Sequence, residues 1–294
     1  NVFMLPGVLL ALILAPQAIG LGLMVHMAVG VISVCLVASA NYVINEYLDA
    51  QFDRFHPIKR LRPCVSGAIR GRWVAVEYLL FGAAGLGLAA WIGPQFLGLA
   101  GVLLLMGVLY NVRPFRTKDR QYLDVLSESV NNPLRFLLGW SIVLGQAYPP
   151  SSILITYWMG GAFLMGIKRY SEYRAIADPD RAGLYRRSFR YYTEASLLLS
   201  SFFYALVSSF FLGIFLIKYR IEFLLTFPLF ALLFTWYLAM GMKEDSAAQA
   251  PEKLFRERRF MAFTAALGVA VLALFYVDIP WLRIFLQQNV YGMP

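Results

Sequence analysis

Apolar runs of about 20 residues, the length a helix needs to cross the hydrocarbon core of a bilayer, recur from one end of this chain to the other. They leave few folds open. Length and hydropathy together predict helices at 3–22, 24–48, 72–92, 95–112, 121–146, 151–174, 191–217, 221–242 and 258–277. A backbone inside lipid must satisfy its own hydrogen bonds, so nine such spans imply a helical bundle. The expected fold class is therefore an all-α polytopic membrane protein. Of the 294 residues, 60% are hydrophobic and only 15% charged, where soluble domains average about 25% charged residues. This excludes a disordered chain, a small secreted protein and a water-soluble nucleotide-binding enzyme. Two His and two Cys offer neither a zinc site nor a disulfide framework. Pro6 and Pro16 interrupt the first span. No Pro- or Ser-rich linker divides the sequence, so 1–294 reads as a single domain. Asn1 leads straight into apolar sequence with no Met ahead of it, and a segment preceding it is expected.

The few charges are placed unevenly. Segments 49–72, 113–124, 168–190 and 243–259 hold 22 of the 26 Lys and Arg residues, while the alternate connections hold Lys218, Arg220 and Arg283. That alternation satisfies the positive-inside rule and puts the four basic segments in the cytoplasm. A multi-pass protein of the cell (inner or plasma) membrane is expected, with its polar cavity facing the cytoplasm. Because the charge lies between spans, no nucleic-acid partner is expected. Topology and contact with anionic lipid explain many of these cations. They do not explain why Asp49, Asp53, Asp124, Glu128 and Glu172 are interleaved among them.

The sharpest segment is Asn45-Glu46-Tyr47-Leu48-Asp49-Ala50-Gln51-Phe52-Asp53. Positions i, i+4 and i+8 share one helix face, so Asn45, Asp49 and Asp53 form an oxygen-bearing stripe at the end of the second span. Carboxylates at such a depth are functional candidates by default. Their hard oxygens suit Mg2+, which prefers one or two carboxylates plus substrate phosphate oxygens. A solvated helix end paired with Arg54 and Lys59 is the plainer alternative. His56, Lys59, Arg60 and Arg62 follow directly, in a stretch stiffened by Pro57 and Pro63. A metal stripe running into such cations is the layout of a metal–diphosphate site, with Arg able to bind phosphate bidentately.

Asn-x-x-x-Asp-x-x-x-Asp with the following Arg62-Pro63 loop resembles the first signature of the UbiA superfamily of intramembrane prenyltransferases. Spans, loop lengths and motif positions resemble that family over most of the chain. The resemblance implies a nine-helix bundle whose cytoplasmic cavity binds a Mg2+–diphosphate donor. The wording His56-Pro57-x-Lys59-Arg60-x-Arg62-Pro63 is most similar to the polyprenyl-phosphate phosphoribosyltransferase branch. So is Lys168-Arg169-x-x-Glu172 at the end of the sixth span, where prenyl-transferring members usually have Lys-Asp-x-x-Asp. An Arg in place of a ligating Asp removes a metal site and creates an anion site. Arg186-Arg187-Ser188, Tyr191-Tyr192-Thr193 and Pro251-Glu252 also match that branch. Tyr110…Lys118 resembles the signature after the fourth span, although Arg116-x-Lys118 is closer to prenyl-transferring members. Asp124 and Arg135 lie at matching positions in the fifth span. Arg135 there needs a partner, for which Asp124, Glu128 or a substrate phosphate would serve.

On this reading the reaction transfers 5-phosphoribose from phosphoribosyl pyrophosphate to a polyprenyl (decaprenyl) phosphate in the membrane. Asn45, Asp49 and Asp53 would hold Mg2+. Asp49, Asp53, Lys59, Tyr110 and Lys118 are the expected catalytic residues. Asn45, His56, Arg60, Arg62, Arg116, Arg135, Lys168, Arg169, Glu172, Arg186 and Arg187 are expected to bind substrate. An isoprenyl diphosphate donor with an aromatic or other small acceptor is the alternative within enzymes. A transporter is disfavoured because the acidic residues sit at a membrane boundary and not at the midplane.

Overall fold

The computed structural model describes residues 2–15, 20–55, 59–176, 178–244, 246–249 and 254–286. His56, Pro57, Pro16 and the Pro251-Glu252 pair lie outside them. The described residues contain helices and turns and no strand. The helices are α1 (Leu5–Leu14), α2 (Leu21–Asp53), α3 (Gly71–Ile92), α4 (Pro94–Asn111), α5 (Leu123–Ser129), α6 (Asn131–Val143), α7 (Ser151–Ile176), α8 (Pro179–Tyr185), α9 (Glu194–Tyr219), α10 (Phe227–Gly241) and α11 (Arg258–Leu274).

Among the described residues, five segments are long and apolar enough to cross a membrane: α2, α3, α4, α9, and α10 with the 3-10 turn before it. The other expected spans also meet helices, with two corrections. The stretch 121–146 is not one helix but two, α5 and α6, separated at Val130. Pro133 explains the break, since its ring has no N–H to give Ser129 and crowds that carbonyl. Among the described residues of 3–22, α1 takes 10, and Leu21 and Gly22 already belong to α2. Pro6 does not interrupt α1, because it stands in the first turn, where no intrahelical donor is needed.

Outward faces carry large exposed apolar side chains, among them Leu79, Leu199, Phe202 and Phe210. With the apolar helices, these make the chain a multi-pass membrane protein. Inside, small residues let backbones approach, the usual device where lipid supplies no hydrophobic drive between helices. A Cβ on Gly7 would lie 2.0 Å from the Phe136 carbonyl oxygen, and one on Gly139 2.0 Å from that of Met4. Ser33 Oγ donates to the Gly85 carbonyl at 2.8 Å, pinning α2 to α3.

Two apolar clusters result. One joins α2, α3, α4 and α6 around Val34, Leu103 and Leu138. The other joins α5, α7, α9 and α10 around Phe163, Tyr204 and Met240. Polar side chains collect where the ends of these two groups of helices meet. Gln249 Nε2 donates to the Ser171 carbonyl at 3.3 Å and Arg174 Nη1 to that of Met242 at 3.1 Å, tying further chain ends to the same side.

Candidate active site

Helix α2 continues unbroken to Asp53, so Asn45, Asp49 and Asp53 do share one face. Chain leaving α4 folds back beneath that face. Lys118, only 5% exposed, sits in a 3-10 turn (Thr117–Asp119) and inserts its ammonium among three oxygens. Nζ lies 2.5 Å from Asp49 Oδ1 and donates to Asn111 Oδ1 at 2.6 Å and Asn45 Oδ1 at 3.0 Å. Burial lowers its pKa to about 8, against the opposing pull of Asp49. Arg116 is buried beside it. Its guanidinium donates to Asp49 Oδ1 at 3.1 Å, Asp119 Oδ2 at 3.0 Å and the Asn111 carbonyl at 2.9 Å. Arg116 has φ +32° and Tyr122 φ +64°, left-handed backbone that a non-glycine residue adopts only when its surroundings impose it. At Arg116, side-chain contacts from Arg116 and Lys118 to α2, to Asn111 and to Asp119 supply that constraint.

Donor chemistry here fits a hard cation. Lys118 Nζ, itself a cation, is held by one carboxylate and two amide oxygens, the ligand type Mg2+ takes. Asp53 belongs to a different pairing, with Arg62 Nη1 at 2.8 Å from its Oδ2. Among the described residues, no three His, Cys, Asp or Glu side chains converge on a point. A metal held here would therefore rest on Asp49 with amide oxygens.

A second charged centre lies on α5, α7 and the chain after α8. Asp124 is fully buried (0% exposed) and accepts from Tyr192 Oη at 2.7 Å and Ser188 Oγ at 3.1 Å. Its Oδ2 faces Arg169 Nε at 3.8 Å and Arg186 Nη1 at 3.9 Å. Arg169 also donates to Glu172 Oε2 at 3.0 Å. Its Nε is buried and makes no hydrogen bond among the described residues. Burial and Asp124 push the Tyr192 hydroxyl pKa up, so it stays a proton donor. Asp119 links the two centres, since Arg187 Nη1 lies 3.6 Å from its Oδ2 while Arg116 bonds the same atom.

Between α2, α4, α5 and α6 lies a half-open cavity of about 70 Å3, lined by Asn41, Asn45, Tyr110, Asn111, Glu128, Asn131 and Arg135 among others. Polar side chains at such a depth in a bundle of apolar helices make this cavity a candidate binding site.

The model of the UbiA prenyltransferase family matches residues 3–264. This chain belongs to the UbiA prenyltransferase family. It is similar to the decaprenyl-phosphate phosphoribosyltransferase of Mycolicibacterium smegmatis, 29% identical over 167 residues, which is 55% of this chain and 49% of that protein. The enzyme of the same name from Corynebacterium glutamicum is 30% identical over 179 residues, 59% of this chain and 51% of that one. These matches span about half the length of the curated relatives. A solved UbiA homolog from Archaeoglobus fulgidus, bound to GPP and Mg2+, has the same fold, with a TM-score of 0.69 at 23% identity. That likeness covers 94% of this chain and 95% of the other.

In this UbiA chain, the first centre gathers Asn45, Asp49, Arg116 and Lys118, with Tyr110 below Lys118, whose Nζ is 5.8 Å from the ring centroid. The second gathers Arg169, Glu172 and Arg186, and Arg186 lies near Tyr110. Arg187 reaches Asp119, and Lys168 is half-buried on α7 beside Arg169. Arg135 lines the cavity together with Glu128. The carboxylate of Asp124 faces Arg169 and Arg186. Arg54 and Arg60 are exposed. Lys59 begins a 3-10 turn (Lys59–Leu61); its side chain and all of His56 lie outside the described residues. Sequence reasoning passed over Asn111, Asp119, Asn41 and Asn131. Asn41 was findable, because it extends the Asn45-Asp49-Asp53 row by one more step of four.

Proposed function

We propose that this chain transfers 5-phosphoribose from phosphoribosyl pyrophosphate to a polyprenyl phosphate such as decaprenyl phosphate, in a Mg2+-dependent step at the cytoplasmic face of the plasma membrane. The observation that carries this reading is the presence of two buried cationic centres bridged through Asp119. A phosphoribosyl pyrophosphate has phosphate at both ends of its sugar and has a use for both centres. An isoprenyl diphosphate has phosphate at one end only. The polar cavity beside Lys118 also suits a sugar better than a hydrocarbon chain.

In the reaction the bond from the anomeric carbon to the pyrophosphate oxygen breaks. A new bond forms from that carbon to an oxygen of the lipid phosphate, and pyrophosphate leaves. Lys118 and Arg116 lie where they can neutralise charge growing on the leaving group, the largest electrostatic contribution available to such a site. Asp49 and Asn45, with Asp53 on the same helix face, would hold Mg2+, which would supply Lewis-acid stabilisation of the leaving pyrophosphate. Arg169 and Arg186 bind the 5-phosphate, and Asp124 with Tyr192 and Ser188 keeps those guanidinium groups in place. The lipid phosphate is already anionic at neutral pH, so the nucleophile needs no general base. A chain with two His agrees with that.

The test is incubation of the purified protein in lipid nanodiscs with Mg2+, ribose-labelled phosphoribosyl pyrophosphate and a polyprenyl phosphate. Label entering the lipid phase with release of pyrophosphate is the expected result. No lipid label, with turnover of an isoprenyl diphosphate and an aromatic acceptor instead, would establish the alternative.

A further inference from the structure

The polar cavity contains two acceptors that the diphosphate chemistry does not use. Asn41 lies one helical turn before Asn45 on the same face of α2, and its Nδ2 donates to the Leu103 carbonyl at 2.9 Å. That bond fixes which end of the amide is which, because a carbonyl requires the NH2 end. It leaves Asn41 Oδ1, which is buried and accepts no hydrogen bond among the described residues. Gly107 makes its position possible, since a Cβ there would lie 1.9 Å from Asn41 Oδ1. Asn131 Oδ1, at the start of α6, is also buried and accepts no hydrogen bond among the described residues. Both residues line the same space as Asn45 and Asn111, whose amide oxygens hold Lys118.

Buried acceptors without a donor are uncommon, and one in a cleft asks to be explained by what the cleft receives. What these two oxygens require is hydrogen-bond donors. A phosphate at neutral pH brings almost none, and an isoprenyl chain brings none at all. A sugar brings hydroxyls, and on the donor proposed above they lie between the pyrophosphate and the 5-phosphate. We infer that Asn41 and Asn131 are specificity-determining residues that accept hydrogen bonds from the hydroxyl groups of the donor's sugar. This rests on the phosphoribosyl reading and sharpens it, because the same two oxygens would count against a hydrocarbon in that space. A site built to bond a hydroxyl rejects the analogue without it, since its own polar group is then left buried and unpaired.

The experiment measures kcat/KM of the full chain with phosphoribosyl pyrophosphate and with analogues lacking the 2-hydroxyl or the 3-hydroxyl. Wild type is compared with the near-isosteric variants Asn41→Leu and Asn131→Leu. Wild type should lose about tenfold or more with at least one deoxy donor. Each variant should lose a similar factor with the complete donor, chiefly in KM. A variant should then treat the complete donor and its matching deoxy analogue within about twofold, a non-additivity that a merely structural role would not produce. Equal use of all three donors by wild type overturns the inference and leaves phosphoribosyl transfer standing. Undiminished deoxy discrimination in both variants does the same. If a variant fails to fold, the wild-type comparison of donors still decides. Failure of wild type to use phosphoribosyl pyrophosphate, with turnover of an isoprenyl diphosphate, removes the underlying reading itself.

Discussion

Two Arg–carboxylate networks lie at opposite ends of this bundle, and they are finished differently. At the end away from the four basic segments, Glu222 is 3% exposed and takes Arg220 Nε at 3.3 Å and the Ile279 N–H at 3.2 Å. Arg220 in turn donates to the carbonyls of Phe275 and Val277. Among the described residues every partner given there is backbone or the other member of the pair, so the network clamps the chain after α11 to the start of α10. The Asp49 and Asp124 centres are not closed. Lys118 is pressed among three oxygens, two of them on Asn45 and Asn111, which line the polar cavity, and Arg169 keeps a buried Nε without an acceptor among the described residues. A closed network spends its charges on the fold, whereas an open one keeps them for a ligand.

Substitutions at the two ends should therefore separate activity from stability. The largest effect is expected at the open end. Asp49→Ala should lower transfer by about 10^3-fold, the loss seen when a preorganised electrostatic group is removed, with helix content and elution volume unchanged. Chelation of divalent cations should abolish wild-type turnover to the same degree, and persistence of activity in excess chelator would remove the metal from the scheme. Next is Arg169→Asp, for which KM of the phosphoribosyl donor should rise about 100-fold. Binding of a simple diphosphate, measured by competition, should change far less; an equal loss of both would count against the 5-phosphate site.

Glu222→Ala tests the closed end. It leaves Arg220 and the Ile279 amide without their acceptor, so the thermal midpoint in detergent should fall by the equivalent of about 2 kcal/mol. Turnover per folded molecule should stay at the wild-type value, and a drop in kcat would break the contrast between the two ends. The smallest effect is expected from Tyr192→Phe, which removes one donor from the Asp124 carboxylate. About 1 kcal/mol of stability and a few-fold rise in donor KM are expected. Stability measurements at matched lipid content and steady-state kinetics report the two quantities separately.

Much of this could be read from the residues because it depends on local spacing. The Asn45-Asp49-Asp53 stripe is a property of one helix, and the helix runs through it as periodicity requires. Arg169 stands out through the Lys168-Arg169-x-x-Glu172 wording at the end of the sixth span, where prenyl-transferring relatives usually have an acid. Other features needed the folded chain. Lys118 and its amide acceptor Asn45 are separated by 73 positions, and Ser188 and Asp124 by 64. No spacing rule relates such pairs. Hydropathy carried 121–146 as one span although Pro133 marked the break, because an average over 20 residues is insensitive to a single missing N–H. Asp53, expected beside Asp49 on a metal, has its carboxylate against Arg62. Sharing a helix face fixes direction and leaves the choice of partner to the loops.

The sequence by itself determined a helical membrane bundle, the side on which its cations gather, and the oxygen stripe on α2. Each follows from the cost of exposing backbone or charge to lipid and from the 3.6-residue turn, which act within one segment. Only the tertiary structure decided that the chain after α4 returns beneath α2, that Asp119 joins two cationic centres, and that four Asn side chains meet in one cavity. Those outcomes depend on how close the helices come. Bare glycines at positions 7, 107 and 139 set that distance, and what meets across it is fixed by packing between segments far apart in the chain.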